Sequence, residues 1–223
     1  MPRMVELKTI PLLTGHCRHP EVMTLRGGSL MPRAFPAVAM LLIHPQEGAI
    51  LFDTGYDPAF LTATEPFPER FYRWVTPVTT DPARSAAAQC TSLGFPPEEV
   101  RHVILSHFHA DHIAGTHAFP NARIHCARAG LESAHRGGRL SSTRRGVLRA
   151  LIPADFAARA SFFEERLPAP LPPACMPFET GADLIGDGSL LAVELPGHCP
   201  GHWGLVLGDA RWGLHFLVAD AAW

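Results

Sequence analysis

The sequence predicts a globular fold that mixes strands and helices, and three observations support this. The chain has 223 residues, 47% of them hydrophobic and 18% charged, and a chain of this length buries roughly 70% of its unfolded surface without needing disulfide bonds. Short apolar segments typical of strands alternate with segments typical of helices, and Gly or Pro marks the breaks. Several of the 13 histidines lie together directly after one apolar segment. We expect a single domain over residues 1–223.

Three strands are predicted near the N-terminus. They are Val5 to Leu13, Ala37 to His44 and Ala49 to Phe52, and the short polar link at 45–48, which ends in glycine, predicts that the second and third form a hairpin. Residues 56–80 are rich in proline and aromatic side chains and show no clean period. They predict either a lid over a site or a helix whose aromatic residues face the core.

Helices and strands alternate through the rest of the chain. Asp81 and Pro82 predict the start of a helix that ends near Leu93, before Gly94. Arg101 to Leu105 predict a buried strand that leads into the histidine-rich segment. The remaining predicted elements are a short helix from about Ile113, a strand at Ala122 to Cys126, a helical stretch over 127–165, a stiff proline-rich connector at Pro168 to Pro177, and strands near Leu190 to Leu195, Gly204 to Leu207 and Leu214 to Ala219, the last two joined across Gly208 and Asp209.

The composition excludes several classes of protein. No apolar run approaches the roughly 20 residues that cross a bilayer, and 19 basic against 21 acidic residues give a net charge of -2, with no bulk attraction for nucleic acid. We therefore expect a small-molecule substrate and neither a nucleic-acid nor a membrane partner, while the oligomeric state stays open. Five cysteines without a C-x-x-C pair, and an N-terminus without a continuous apolar signal segment, predict free thiols and a cytoplasmic location.

The histidine-rich segment carries four potential metal ligands within six residues, namely His107, His109, Asp111 and His112. In an extended or tightly turning loop the first two can point to one side while the last two diverge to a neighbouring point, so one segment can serve two metals. Buried without a cation, these groups would repel one another or lose hydration without compensation. The segment therefore predicts a metal site.

More ligands must come from elsewhere, because a zinc site takes three or four protein groups. His198, in a loop with Gly197 and Gly201 on either side, and Asp220, at the end of an apolar strand, are the candidates. The glycines give the loop the freedom to fold around an ion. An unpaired carboxylate at the end of an apolar strand would be costly.

Four segments resemble, in their order, the motifs of the metallo-β-lactamase superfamily. They are the HxHxDH run at 107–112, the upstream 51–55 (Leu-Phe-Asp-Thr-Gly), and the downstream 196–198 (Pro-Gly-His) and 218–220 (Val-Ala-Asp). Ser106 to Gly115 and Pro196 to Gly204 are most similar to the quorum-quenching lactonases and the glyoxalase II-like hydrolases. The resemblance extends from about residue 35 to the end of the chain. It implies an α+β fold, a four-layer αββα sandwich of two sheets with helices on both outer faces and metals in a cleft at one edge.

The resemblance also implies roles for individual residues. Asp220 would bridge two metals, and Asp53 would orient a ligand histidine, although the alternative for Asp53 is a turn residue. The expected metal is zinc, as one or two ions, with iron or manganese as alternatives. The first metal would be held by His107, His109 and His198, and the second by Asp111 and His112.

The implied reaction is hydrolysis of an ester, a lactone or a thioester. Two metals about 3.5–4 Å apart lower the pKa of a shared water and present a hydroxide to the carbonyl. Asp111 would then also act as a catalytic residue by passing a proton to the leaving oxygen. The alternatives are a mono-iron sulfur dioxygenase, which would use the three histidines or Asp220, and a truncated, catalytically impaired member that binds metal.

The sequence departs from the family pattern near its C-terminus. Complete members carry one more histidine well after the bridging aspartate, whereas this chain ends three residues past Asp220, so we expect the domain to be incomplete there. His202 is a candidate substitute, with a surface or supporting role as the first expectation. Where the lactonases carry a tyrosine, this chain has Trp223, whose indole can donate a hydrogen bond but cannot act as an acid.

Four further side chains near the expected site carry predictions. Phe71, Trp74 and Trp223 are the predicted substrate-binding residues. Cys199 follows the ligand candidate His198, and we expect it to be a buried thiol that faces away from the metal, because neighbours in an extended loop point to opposite sides.

Overall fold

The computed structural model describes residues 5–222. Two groups of hydrogen-bonded strands form its centre, and one pair of neighbouring strands connects the two groups. The strands are β1 (Glu6–Pro20), β2 (Pro32–His44), β3 (Gly48–Phe52), β4 (Val78–Thr80), β5 (His102–Ile104), β6 (Arg123–Cys126), β7 (Ala160–Phe162), β8 (Pro168–Pro170), β9 (Thr180–Asp183), β10 (Leu190–Glu194), β11 (Trp203–Asp209) and β12 (Gly213–Leu217). The α-helices are α1 (Ala59–Ala63), α2 (Glu69–Val75), α3 (Ala86–Ser92), α4 (Ala110–Ile113), α5 (Arg128–His135), α6 (Arg139–Arg144) and α7 (Phe156–Arg159).

The strand order runs β7-β6-β5-β3-β2-β1-β11-β10-β9-β8, with β12 beside β11 and β4 beside β1. The N-terminal group is mixed: β1, β2 and β3 pair antiparallel, while β3, β5, β6 and β7 pair parallel. The two groups meet through a short parallel contact in which Glu6 pairs with Gly208 and Leu7 with Asp209.

Side-chain alternation along the strands shows that the two groups pack face to face. On β2, Leu41 points to the core shared with the helices, whereas its neighbour Leu42 points to a second core shared with β9, β10 and β11. Val103 and Ile104 on β5 divide in the same way. Since successive strand residues face opposite sides, the inner core lies between two sheet layers, and the expected sandwich is confirmed.

The two outer faces are covered differently. Helices cover the N-terminal group, but the outer face of β10 and β11 packs on residues 171–178, which include a short 3-10 turn, and residues 160–222 form no α-helix. Pro172, Pro173 and Pro177 explain this, because proline lacks the N–H that helix propagation needs. The proline-rich connector also forms β8, which the sequence did not predict. Prolines are tolerated in β8 because it is the last strand in the order.

Several predicted boundaries change. β1 continues past Leu13 to Pro20, because it pairs with β2 along nearly its whole length. The predicted helical stretch over 127–165 is divided into α5, α6 and α7 and ends in β7, and the breaks fall near glycines such as Gly137 and Gly146, both at positive φ. The last hairpin turns at residues 210–212, not at Gly208 and Asp209, which still pair in β11.

The arrangement of the parallel strands positions the histidine-rich segment. β3 ends immediately before Asp53, and β5 ends shortly before His107. The carboxyl ends of parallel neighbours lie at one edge of a sheet. The turn after β10 and the 3-10 turn at Ala219–Ala221 after β12 reach the same edge, because their side chains contact those of the segment.

Candidate metal centre

Four histidines and three aspartates converge at this edge. They come from the segment after β5, the residue after β3, the turn after β10 and the turn after β12. The seven are Asp53, His107, His109, Asp111, His112, His198 and Asp220. All had been predicted from the sequence.

The first group of ligand atoms is built on three imidazoles. His109 Nδ1 lies 3.0 Å from His198 Nε2, and the ring of His107 lies 4.5 Å from that of His109 and 4.9 Å from that of His198, centroid to centroid. His107 is buried, and its Nε2 has no hydrogen-bond partner among the described residues. Three ring nitrogens therefore face one small volume.

The second group joins the first through His107, which belongs to both. Ligand atoms of His107, His112 and Asp220 lie within 4.8 Å of one another. His112 Nε2 lies 3.3 Å from Asp220 Oδ1 and 3.6 Å from Asp111 Oδ2, while Asp220 Oδ2 lies 3.2 Å from His198 Nε2. Asp220 thus stands between the two groups, at the place that a bridging ligand would take.

Asp53 and Ser106 contact the Nδ1 atoms of two of the imidazoles. Asp53 Oδ2 accepts a hydrogen bond from His112 Nδ1 at 2.7 Å, and its Oδ1 accepts one from the Ser106 backbone N–H. The Ser106 hydroxyl donates to Asp53 Oδ2 at 2.8 Å and lies 3.0 Å from His107 Nδ1. With Nδ1 of His112 used in its bond to Asp53, Nε2 is the ring nitrogen that faces Asp111 and Asp220.

The electrostatics of the site match this arrangement. Burial, with the neighbouring imidazoles, lowers the pKa of His107 well below its ordinary value and that of His109 to about 3, so both rings are neutral. Burial opposes protonation of His112 as well, but the Asp53 and Asp111 carboxylates outweigh it and raise its pKa. Burial also works against the charged form of Asp220, yet hydrogen bonds from His112 and His198 hold its pKa below the usual range.

The donor set fits a divalent cation. The neutral rings of His107 and His109, the first with a buried Nε2 that has no hydrogen-bond partner among the described residues, lie beside the convergent carboxylates of Asp111 and Asp220, and a cation would satisfy this concentration of donor atoms. Imidazole and carboxylate are ligands that zinc, iron and manganese all accept. The donor set therefore does not choose among these metals.

Backbone geometry shows how the edge is held in place. Asp53 (φ 57°) and Ala219 (φ 46°) have left-handed conformations, which cost a non-glycine residue on the order of 1 kcal/mol or more. Each positions a carboxylate, its own in one case and that of Asp220 in the other. Gly55 has φ 67°, and a Cβ there would lie 1.9 Å from Thr14 Oγ1. This contact explains the glycine of the 51–55 motif.

A cleft of about 400 Å³ opens beside the second ligand group. Its polar end carries Asp53, Asp111, His112 and Asp220. Its wall is mostly apolar and comes from β1, β2, β3 and the 216–219 segment: Cys17, Phe35, Pro36, Ala37, Val38, Met40, Phe52, Phe216, Leu217, Val218 and Ala219. These β1 and β2 residues were not among the predicted site residues. Ala37 and Ala39 are buried while Val38 and Met40 are more exposed, but all four side chains are apolar, so the sequence carries no signal for the open face.

The predicted substrate-binding residues are not brought to this cleft. Phe71 and Trp74 lie on α2, are 51% and 59% exposed, and pack edge to face on Phe67 and on each other. Neither lines the cleft. Tyr72, between them, packs instead on the helix-side core. Trp223 lies outside the described residues.

His202 and Cys199 differ in whether they belong to a ligand group. His202 is buried beside His107, with Nδ1 bonded to the Leu195 carbonyl at 3.0 Å, and it belongs to neither ligand group found among the described residues. Cys199 does belong to one: its Sγ lies within 4.8 Å of ring nitrogens of His107, His109 and His198. The expectation that the thiol faces away from the metal is therefore wrong, because residues 196–201 turn tightly and are not extended.

The family to which the sequence matches agrees with the geometry of the site. The family model of the metallo-β-lactamase superfamily matches residues 33–214, most of the chain. The chain belongs to the metallo-β-lactamase superfamily. Its α+β fold, with two sheet layers and the ligand residues at one sheet edge, is the fold that this membership implies.

Curated relatives in this superfamily include hydrolases and lactonases. A probable metallo-hydrolase of Mycobacterium tuberculosis is 32% identical over 181 residues, which cover 79% of this chain and 54% of that protein. An N-acyl homoserine lactonase of Azorhizobium caulinodans is 30% identical over 144 residues, 61% of this chain and 46% of that one. The chain thus spans about half the length of the curated relatives it matches.

A solved structure of the superfamily shares the fold at low identity. An N-acyl homoserine lactone hydrolase, with its product N-hexanoyl-L-homoserine at the catalytic metal centre, superposes with a TM-score of 0.75 at 20% identity, covering 98% of this chain and 77% of that one. Among the residues of our chain that the structure describes, no helix has the length and apolar character to span a membrane.

Proposed function

We propose that the protein is a metal-dependent hydrolase that cleaves an ester, lactone or thioester of a small molecule with an apolar chain. One observation carries the proposal: two groups of ligand atoms, linked through His107 and Asp220, lie beside a cleft whose far wall is apolar. A cleft of about 400 Å³ is the size of a small-molecule site. Membership of a hydrolase superfamily supports the same activity.

Each site residue has a proposed part in this reaction. His107, His109 and His198 would hold a first cation, Asp111 and His112 a second, and Asp220 would bridge them. Bound divalent cations supply Lewis acidity and a water nucleophile near neutral pH. Asp53 fixes the Nδ1 proton of His112 through its 2.7 Å hydrogen bond, which keeps the ring in the orientation that a ligand needs.

Asp111 is the proposed proton carrier. It lines the cleft, and one of its carboxylate oxygens lies 3.6 Å from His112 Nε2. A substrate in the cleft would place its leaving oxygen near this side chain. We propose that Asp111 would accept the proton released by the attacking water and pass it to that oxygen.

A lactone is the first substrate class to test. Lactonase relatives at about 30% identity act, by their names, on N-acyl homoserine lactones, which combine a lactone ring with an acyl chain. The apolar wall formed by Phe35, Val38, Met40 and Phe52 supports binding of such a chain.

Zinc in a binuclear site is the metal we propose. The two ligand groups, rather than one, support two cations, and imidazole with carboxylate suits zinc. The five cysteines are all free, which supports the reducing cytoplasm as the location.

The proposal is tested by measuring metal content and turnover on the same preparation. We expect about two zinc ions per chain and hydrolysis of members of a panel of lactones, p-nitrophenyl esters and thioesters, lost after chelation and restored by zinc. A single iron per chain would instead support the mono-iron dioxygenase alternative. Absence of turnover by the metal-loaded protein, or turnover that chelation leaves unchanged, would refute the hydrolase.

A further inference from the structure

Among the described residues, one thiol lies with the three histidines of the first ligand group. The Sγ of Cys199 and one ring nitrogen from each of His107, His109 and His198 lie within 4.8 Å of one another. In a tetrahedral zinc site with Zn–N near 2.0 Å and Zn–S near 2.3 Å, ligand atoms lie about 3.3–3.8 Å apart. Small side-chain movements therefore suffice to bring all four atoms onto one ion.

Close packing of the turn fixes the position of Cys199. Residues 196–201 form the turn between β10 and β11, and Gly201 takes φ 72°. A Cβ at Gly201 would lie 2.3 Å from the backbone nitrogen of Gly130 on α5. The turn thus rests directly on α5, and this contact directs His198 and Cys199 to the same side.

His107 supplies an independent sign that this volume holds a ligand. Its side chain is fully buried, and Nε2 has no hydrogen-bond partner among the described residues. An unsatisfied buried ring nitrogen costs about 1–3 kcal/mol. His107 Nε2 lies 3.7 Å from Asp220 Oδ2, beyond hydrogen-bond distance, and a cation bound by His107 would remove the cost.

We propose that Cys199, as a thiolate, is the fourth protein ligand of the first metal. The proposal rests on the proposed function, since it requires a cation at the three histidines. As the sulfur–metal bond forms, the S–H bond breaks and the proton leaves to solvent. Three imidazoles and one thiolate would then be four donors, with the proposed bridging carboxylate of Asp220 as a fifth, and the soft sulfur favours zinc, cobalt or iron over manganese and magnesium.

A thiolate at this position leaves the substrate cleft open. Cys199 lines a separate cavity of about 210 Å³ together with His109, His198 and Arg145. The cleft is lined instead by Asp111, His112 and Asp220. The sulfur therefore reaches the first metal from a side that the substrate does not occupy, and the proposed carbonyl chemistry stays with the carboxylates.

Cobalt(II) substitution tests the sulfur ligand without measuring activity. We expect the cobalt-loaded protein to show a near-ultraviolet sulfur-to-cobalt charge-transfer band. The band should be absent in Cys199→Ser and Cys199→Ala and present in Cys17→Ser, the matched control, because Cys17 lines the cleft but belongs to neither ligand group. Competition with a chelator should show at least about tenfold weaker zinc binding in the Cys199 variants.

The outcomes separate this inference from the proposed function. Cobalt bound without the sulfur band, or a band that persists in both Cys199 variants, overturns the thiolate ligand and leaves the metal-dependent hydrolase intact. No cobalt bound at all overturns both. Cys199 is partly exposed in a turn, so we expect at least one of its variants to fold as the parent does. Serine and alanine are both used because one is polar and the other apolar.

Discussion

Two clusters of histidines flank β5, and they differ in what surrounds the imidazoles. The metal-centre cluster (His107, His109, His112 and His198) follows the carboxyl end of the strand, among three aspartates. The strand-start cluster is a chain in which His102 Nδ1 lies 2.9 Å from His125 Nε2 and His102 Nε2 lies 3.4 Å from Glu47 Oε2. Only one carboxylate belongs to it.

The difference shows what makes a cation site. In the strand-start cluster each side chain contacts the next one along a line, from Glu47 to His102 to His125. No three ligand atoms converge there among the described residues. In the metal-centre cluster they converge on shared points, and Asp220 and Asp111 supply negative charge. Histidines close together are therefore not sufficient, since convergence and carboxylates decide whether a cation is bound.

The largest expected effect comes from removing one histidine from each cluster. We expect His109→Ala to weaken binding of the first metal and to lower kcat/KM at least about 1000-fold, because one of its three imidazole donors is removed. His102→Ala is the matched control and should keep both metals and activity, losing about 1–3 kcal/mol of unfolding free energy because the buried ring of His125 loses a hydrogen-bond partner. Metal analysis and steady-state kinetics check both, and comparable losses in the two variants would remove the distinction between the clusters.

A smaller effect is expected from Asp53→Asn. The amide N–H₂ placed at Oδ2 would donate to His112 Nδ1, so the ring proton would move to Nε2 and block the ligand position. We expect the second metal to bind about 10–100-fold more weakly while the first is retained. Isothermal titration with zinc measures the two affinities. Asp57→Asn, a buried aspartate that caps Ala59 outside the site, should leave both unchanged.

The strand-start cluster should appear instead in the pH dependence of stability. Burial lowers the pKa of His125 to about 3, against 6.5 for the unfolded chain. The unfolded state therefore binds more protons between these values, and the free energy of unfolding should fall as the pH drops from about 6.5 towards 3. We expect His125→Leu to flatten this fall in urea unfolding of the metal-loaded protein at pH 7 and 5. The exposed control His135→Leu should keep the parent slope, and an unchanged slope in His125→Leu would contradict the assignment.

The smallest effect is expected at the carboxylate of the strand-start cluster. Glu47 is about one-third exposed and lies 4.0 Å from an exposed Arg101, so its ion pairs are screened by water. We expect Glu47→Gln to change the unfolding free energy by less than about 0.5 kcal/mol and to leave metal content unaltered. Loss of metal in this variant would show that the strand-start cluster also binds a cation.

The cleft shows where sequence reasoning stopped. The apolar segment at 37–44 predicts a strand, and the structure shows that Val38, 42% exposed, forms part of the cleft wall with Met40. Residues 56–80 predict either a lid or a helix whose aromatic residues face the core; Tyr72 of α2 packs on the core, while Phe71 and Trp74 pack on their own neighbours away from the cleft. Composition indicates that a side chain is apolar, but the path of the chain decides which cavity it lines.

By itself, the sequence determined the ligand types, the order of the motifs and the edge at which they meet. Spacing within the 107–112 segment is local, and strand ends fix where it points. The family resemblance implied a bridging Asp220 and an orienting Asp53, but only the tertiary structure decided that Asp53 contacts His112 in particular and that the thiol of Cys199 lies among the histidines. These contacts depend on turns held at unusual φ and join residues about 60 to 110 positions apart in the sequence, which no local pattern encodes.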